Sequence, residues 1–272
     1  MIGLVYSVED PAGRGIASYI VEALKPHRTT NPYAMEYYEG DGFVLAGFNE
    51  DVIYFDFLEE RLPMVSEYIV LSRHSSKAGV KSYTVHHTGN YGGEALSGGR
   101  PGELGIASPR TAWLLLRLLK TYRDAYSRNE YEVSYEATHH GPTSLSKPLV
   151  FIEIGSGLDE WRDRVNHAVV GDTVIGFLRG GIRDECIPVI GIGGGHYPRK
   201  HTELALAEPV CYGHIMAKYA LEYMSRVVLD KMTERSVVKP VEVIVEKKGT
   251  RQEHRSLLEE YVSEKKLSLR YI

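Results

Sequence analysis

Five histidines carry the clearest chemical signal in this sequence: His74, His86, His139, His140 and His196 each stand at or just past the end of a stretch that reads as a β-strand. Imidazole titrates near neutrality and is the commonest metal ligand, so a cluster of them serves either general acid–base catalysis or a divalent cation. Any one of these residues alone is as easily a capping or surface group. Five at equivalent positions point to one shared crevice, which in open α/β sheets lies outside the carboxyl ends of the strands.

The segment Thr138-His139-His140-Gly141-Pro142 is the most informative. Pro142 biases Gly141 away from the helical region and Gly141 bends freely, so the chain can turn both imidazoles toward one side. Glu136 lies two positions before Thr138, as a carboxylate ligand, a base, an orienting group or a plain strand-face residue. Adjacent strand residues point to opposite faces, so only one of His86 and His87 can enter the same site, and His86 is assigned to it. Gly193-Gly194-Gly195-His196-Tyr197 lacks the helix start of a dinucleotide fingerprint, and Pro198 follows. Its glycines offer either backbone amides for an oxyanion or a tight turn. Arg73, Ser75, Ser76 and Lys77 surround His74 with cations and hydroxyls, a composition suited to phosphate contact or to a solvated loop. His27, His167 and His254 read as surface residues.

The elements that must position these groups alternate along the chain. Strands are expected at Ile2–Val8, Tyr68–Leu71, Tyr83–His87, Tyr131–Ala137, Leu149–Ile154 and Ile187–Ile192, with β-rich pieces at Met35–Tyr38, Phe43–Ala46 and Val52–Phe55. Helices are expected over Gly13–Leu24, from Ser108-Pro109 to Tyr126, Leu158–Leu178 and Gly213–Val228, while Glu94–Ser108 reads as a long loop. No repeat or linker divides the chain. The expectation is a single α/β domain over residues 1–272, a three-layer arrangement with helices on both faces of a parallel or mixed sheet.

Bulk properties agree with a globular enzyme: 43% hydrophobic, 25% charged, formal net charge −4. That charge gives no global basic field, so a nucleic-acid partner must meet a local patch, for which Arg73, Lys77, Lys81, Lys147, Arg199 and Lys200 are the candidates. Only Cys186 and Cys211 are present, which reads as two reduced thiols in a cytoplasmic protein without a disulfide framework. No signal peptide or membrane span is expected, nor a DNA or membrane partner, and the chain is expected to be a monomer.

Taken together, several segments resemble the archaeal and plant type of D-aminoacyl-tRNA deacylase (D-tyrosyl-tRNA deacylase type 2). They are Ser72-Arg73-His74-Ser75-Ser76-Lys77, Thr84-Val85-His86 with Gly89-Asn90, Glu136-x-Thr138-His139-His140-Gly141-Pro142, Glu153-Ile154-Gly155-Ser156 with Glu160-Trp161-x-Asp163, and Gly193-Gly194-Gly195-His196-Tyr197. The resemblance implies hydrolysis of the ester joining a D-amino acid to the 3′ end of tRNA, dependence on zinc (two ions), and a fold similar to peptidyl-tRNA hydrolase and nucleoside phosphorylases. It does not say which residues bind metal. From their chemistry, His74, His139, His140 and Glu136 are the candidate ligands or base, with His86 and His196 also catalytic. Gly193, Gly194, Gly195, Tyr197, Arg73, Ser75, Ser76 and Lys77 are the candidate substrate contacts. A metal-free route with imidazole as general base stays open, as does a small-molecule amidohydrolase or nucleoside-processing enzyme on a similar sheet.

Overall fold

A computed structural model of the chain describes residues 1–75, 79–180 and 185–272, so Ser76 and Lys77 lie outside the described residues. The chain opens with β1 (Ile2–Ser7) and α1 (Pro11–Leu24), whose N-cap Asp10 accepts the Ala12 amide. There follow β2 (His27–Arg28), β3 (Glu36–Gly40), β4 (Phe43–Phe48), α2 (Leu58–Arg61), β5 (Glu67–Ser75), β6 (Ser82–His86), α3 (Pro109–Ala125), β7 (Glu132–Tyr135) and β8 (Leu149–Ser156). The C-terminal part holds α4 (Leu158–Arg162), α5 (Arg164–Leu178), β9 (Ile187–Ile192), α6 (Arg199–Ala207), β10 (Val210–Met216), α7 (Arg226–Glu234), β11 (Glu242–Val245), α8 (Gln252–Lys265) and β12 (Ser268–Tyr271).

Two sheets result. The larger has eight strands in the order β2-β3-β4-β1-β5-β8-β6-β7, and the smaller has four parallel strands in the order β10-β9-β11-β12. Mixed α/β architecture is therefore present as expected, but divided between two sheets. The long helices α1, α3 and α5 cover one face of the larger sheet, packed on Leu4, Ile69, Leu71, Val150 and Ile152. The opposite face carries Val5, Val70, Leu149 and Phe151 under α2 and a short 3-10 segment, Val52–Phe57. Helices also flank both faces of the smaller sheet, where Val189 and Ile244 join the core around α3 and α6, and Ile190, Val243 and Val245 pack with α7 and α8. Residues of both sheets share the first of these cores.

Several element expectations change. Val52–Phe55 folds as 3-10 helix rather than strand, because Asp51 caps it through the Ile53 amide and its apolar side chains face one way, onto the sheet. The expected long helix from Leu158 breaks at Asp163, whose carboxylate accepts the Val165 amide and starts α5 anew. The helix expected from Gly213 begins instead as the end of strand β10, since Val210–Met216 is buried throughout, and continues as a 3-10 turn over Lys218–Tyr223. The true helix start is Ser225, whose hydroxyl accepts the Val228 amide. The helix from Pro109 and the long loop preceding it appear where the sequence places them.

The expectation of free thiols is overturned: Cys186 and Cys211 form a disulfide, with Cα atoms 5.7 Å apart. Parallel pairing of β9 with β10 brings Val210 opposite Ile187 and Cys211 opposite Pro188, so thiols 25 residues apart meet across neighbouring strands. Closing a loop of this size restricts the unfolded chain, so Cys186→Ser is expected to lower unfolding free energy by about 3 kcal/mol. Denaturant melts of wild type and variant, each with and without reductant, check this; reductant should erase the difference.

Candidate active site

The site is assembled on a sheet face rather than at the strands' carboxyl edge. β6 runs antiparallel to β8, while β5 runs parallel to it, so the carboxyl ends of β5 and β6 point in opposite directions. In-register pairing sets Ser72 and Thr84 beside Glu153, His74 beside Gly155 and His86 beside Phe151. Strand alternation then turns His74, His86 and Glu153 to one side of the sheet.

The histidine turn arrives from the junction of the two sheets. Past β7 the chain spends three successive amides on three different neighbours: Glu136 donates to Val85 of β6, Ala137 to His196, and Thr138 to Ile215 of β10. Thr138 Oγ1 also accepts the Ile215 amide. His140 then adopts a left-handed φ of 41°, so the sharp bend expected at Gly141 begins one residue earlier. Both imidazoles consequently pack against His86, at centroid distances of 4.4 Å for His139 and 4.8 Å for His140.

Two adjoining sets of ligand atoms emerge. His86, His139 and His140 form one, and His74, Glu136 and His196 form another, each with atoms within 4.8 Å of one another; Glu136 and Glu153 also lie that close to His86. In the first set every Nδ1–H is committed to a backbone carbonyl: His86 to His87 at 3.1 Å, His139 to Ala137 at 2.8 Å, His140 to Gly141 at 2.7 Å. Each ring therefore points Nε2 inward, the orientation that metal-binding histidines use; burial opposes protonation of His86, but Glu153 outweighs it and raises its pKa. Burial, reinforced by the neighbouring imidazoles, pushes the pKa of His139 down and that of His140 down to about 4, which keeps both neutral at pH 7.

The second set is charged. His74 Nδ1 stands 3.0 Å from Glu136 and 3.3 Å from Glu153, and its Nε2 lies 2.7 Å from the Tyr197 hydroxyl. Burial opposes protonation of His74, but the two carboxylates outweigh it and hold its pKa up at about 10. Burial alone would raise the pKa of Glu136, yet contacts with His196 and His74 hold it well below the carboxylate range. His196 Nε2 is 2.9 Å from Glu136, and His139 Nε2 is 3.5 Å from it. These nitrogens are near enough to pair but not aligned as donors, leaving both Glu136 oxygens and His86 Nε2 buried without a hydrogen bond. Orphaned acceptors facing a nest of imidazoles are what a cation site presents before it is filled.

A cavity of about 420 Å³ opens over this cluster, lined among others by Asp51, Ser72, Arg73, His74, Ser75, His139, His140, Glu153 and His196. Arg73 pairs weakly with Asp51 at 3.7 Å and lies over Trp161. The glycine triplet is placed behind His196 instead: Gly193 and Gly194 take φ of 94° and 84°, and Gly193 N–H is spent on the Met216 carbonyl, so it is no oxyanion donor. Tyr197 reaches the site through His74.

Sequence reasoning missed Glu153 as a site residue, although the strand Leu149–Ile154 and the motif holding it were recognised. An acidic residue inside an otherwise apolar buried strand was the available signal. His87 is structural, as expected. It donates to Gly213 and accepts the Ser108 amide, tying the start of α3 to β10, and burial holds it neutral. His167, expected at the surface, is half-buried against the Trp161 carbonyl.

Residues 62–270 match the tRNA_deacylase family model, described as D-aminoacyl-tRNA deacylase. The chain belongs to the D-aminoacyl-tRNA deacylase family. It is 58% identical to the D-aminoacyl-tRNA deacylase of Staphylothermus marinus, covering 99% of both chains, and 45% identical to that of Hyperthermus butylicus, covering 96% of this chain and 98% of that one. The crystal structure of the conserved protein of unknown function AF0625 superposes with a TM-score of 0.92 at 31% identity, covering 100% of this chain and 95% of the other.

Because two carboxylates hold His74 protonated, Glu136→Gln is expected to lower its pKa from about 10 toward the ordinary imidazole value of 6.5. A pH titration of the His74 ring by heteronuclear NMR in chelator-treated protein checks this; an unmoved pKa contradicts the assignment. The His74–carboxylate contribution to stability is fully present below pH 6.5 and is lost as pH rises through the folded value.

Proposed function

We propose that this chain hydrolyses the ester of D-aminoacyl-tRNA to free D-amino acid and tRNA, and that it does so with bound zinc. The observation that carries the chemistry is the juxtaposition of three inward-facing imidazoles, His139 and His140 among them held neutral, with a buried, ionised carboxylate at the base of one cavity. Membership of the deacylase family supplies the reaction.

The residues fit a metal. His86, His139 and His140 would hold one ion through Nε2, and Glu136 with His196 a second. His74 is less suited to ligation than the sequence suggested, because both its nitrogens are engaged, and it serves to fix Glu136 and Glu153. Zinc at such a site supplies Lewis acidity and lowers the pKa of water to about 7. Outside the ligand role, His196 is the side chain placed to accept the proton of attacking water, being half-buried at the cavity wall and oriented by Glu136. The hydroxyl half of the water joins the carbonyl carbon, and the proton passes to the ribose oxygen that leaves. Arg73 carries the permanent positive charge among the described lining residues and is the candidate contact for the carbonyl oxygen.

A cytoplasmic location beside its substrate is part of the same proposal; separately, no described helix is long and apolar enough to cross a membrane. The expected likeness to peptidyl-tRNA hydrolases and nucleoside phosphorylases belongs to the same proposal, and the mixed sheet flanked by helices is compatible with it.

Wild-type protein is expected to release D-tyrosine from D-tyrosyl-tRNA and to leave L-tyrosyl-tRNA intact. His140→Ala and exhaustive chelation should each lower the rate by at least about 100-fold, the scale on which metal-site groups act. Equal turnover of both enantiomers discards the editing role, whereas full activity after chelation, with no zinc by elemental analysis, discards the metal.

A further inference from the structure

The His139–His140 turn is a partition with a cavity on each side. Both residues line the 420 Å³ cavity already described, and both also line a smaller groove of about 200 Å³ behind them. The groove is walled by Asn90, Tyr91, Thr138, Tyr219 and Tyr223. Tyr219 and Tyr223 lie on a 3-10 turn after β10 and remain 54% and 45% exposed, a large aromatic surface left in solvent. Tyr219 is also tied to the site, its hydroxyl standing 3.5 Å from His196 Nδ1.

The two sides differ in charge. The front cavity is lined by Glu9, Asp10, Asp51 and Glu153 against Arg73 and the His74 cation, a negative balance that favours an ammonium group over phosphate. Beside the rear groove, Lys218 precedes Tyr219 and its stem passes Gly249, so it joins Lys247 and Lys248 of the β11–α8 loop. These three lysines are exposed and make no ion pair among the described residues. By contrast, Lys81 and Arg199 of the basic rim expected from sequence are paired with Glu160 and Glu203. Glu94 and Glu222 are the acids near the groove. Aromatic faces beside unpaired cations are how proteins hold an unstacked base and its backbone phosphates.

We infer that the tyrosine groove receives the 3′-terminal adenosine of the tRNA, with its phosphates over Lys218, Lys247 and Lys248, while the acidic cavity receives the D-aminoacyl half. The ester then lies across the His139–His140 partition. This orientation rests on the deacylase reading, and it assigns roles that the histidine cluster alone does not.

The test uses three substrates: D-tyrosyl-tRNA, 3′-O-D-tyrosyl-adenosine, and D-tyrosine ethyl ester, which lacks a nucleoside. Tyr219→Ala and Tyr223→Ala are expected to raise KM for the first two about tenfold, and Tyr223→Ala, which does not touch His196, to leave the ethyl ester unchanged. Replacing Lys218, Lys247 and Lys248 together by Ala should weaken D-tyrosyl-tRNA and flatten its salt dependence without affecting D-tyrosyl-adenosine. Unchanged KM for D-tyrosyl-adenosine in both tyrosine variants overturns the assignment, as does an equal loss on the ethyl ester in Tyr223→Ala. Calorimetric binding of adenosine 5′-monophosphate, present in wild type and lost in Tyr219→Ala, reads the groove without catalysis. If wild type binds the nucleotide there but leaves D-tyrosyl-tRNA intact, the groove assignment stands and the deacylase reading falls.

Discussion

Burying Glu136 and Glu153 side by side on the face of a sheet is the constraint around which the rest is arranged. Two carboxylates in so dry a place repel each other and lose their hydration, a penalty of several kcal/mol per ion unless opposite charge is supplied. His74 supplies it, standing within 3.3 Å of both and held cationic by them. His139 and His140, by contrast, are kept neutral by burial and by the neighbouring imidazoles, His86 among them. The cluster thus contains a charged His74 that is structural, and neutral His139 and His140 that are free to bind or to exchange protons. Environments that drive like groups apart in pKa are the general device by which one site carries more than one role.

Geometry enforces the same division. The three amides of Glu136, Ala137 and Thr138 reach β6, the His196 loop and β10 in turn, so a single short segment stitches the sheets together and sets the histidine turn at their seam. His87 and His214 brace that seam from behind: His87 bonds to Gly213 and Ser108, while His214 contacts Thr138 Oγ1 and the Arg235 carbonyl. Burial holds both rings neutral, which His87 needs to accept an amide. A site mounted on two sheets is only as well defined as their junction, which explains why so many buried polar groups lie beside the catalytic ones.

Much of this was legible in the sequence. The five histidines were identified from their strand-end positions, and the structure gathers all of them within one cluster together with Glu136. The stated reason was wrong. Carboxyl-edge assembly requires parallel neighbours, and β6, though parallel to β7, runs antiparallel to β8. Strand direction is set by long-range pairing that local periodicity does not encode. The same blindness hid the Cys186–Cys211 bond and the division into two sheets, both consequences of which strands become neighbours. Glu153 was passed over because a buried strand reads as packing, and its partner His74 is 79 positions away in sequence. The tyrosine groove escaped for another reason: Tyr219 and Tyr223 were read as part of a helix, where aromatic residues ordinarily pack into a core.

Electrostatics then bears on how a polyanionic substrate reaches a chain with net charge −4. Its catalytic cavity is itself acidic at the rim, so the general field cannot draw tRNA toward the ester-cleaving groups. Screening reduces surface charges to local influence beyond roughly 8 Å at physiological salt, which makes the distribution of unpaired cations more important than their sum. Lys81 and Arg199 are neutralised by partners, and Lys147 is held by the Pro63 carbonyl. Lys218, Lys247 and Lys248 are not so engaged, and Lys218 directly precedes Tyr219 of the rear groove, whose lining holds one acid, Glu94. A substrate whose one end is a cationic amino acid and whose other end is a string of phosphates meets matching charge in only one orientation. Acidic residues in the front cavity therefore do not weaken the case for a tRNA substrate; they specify which end of it enters.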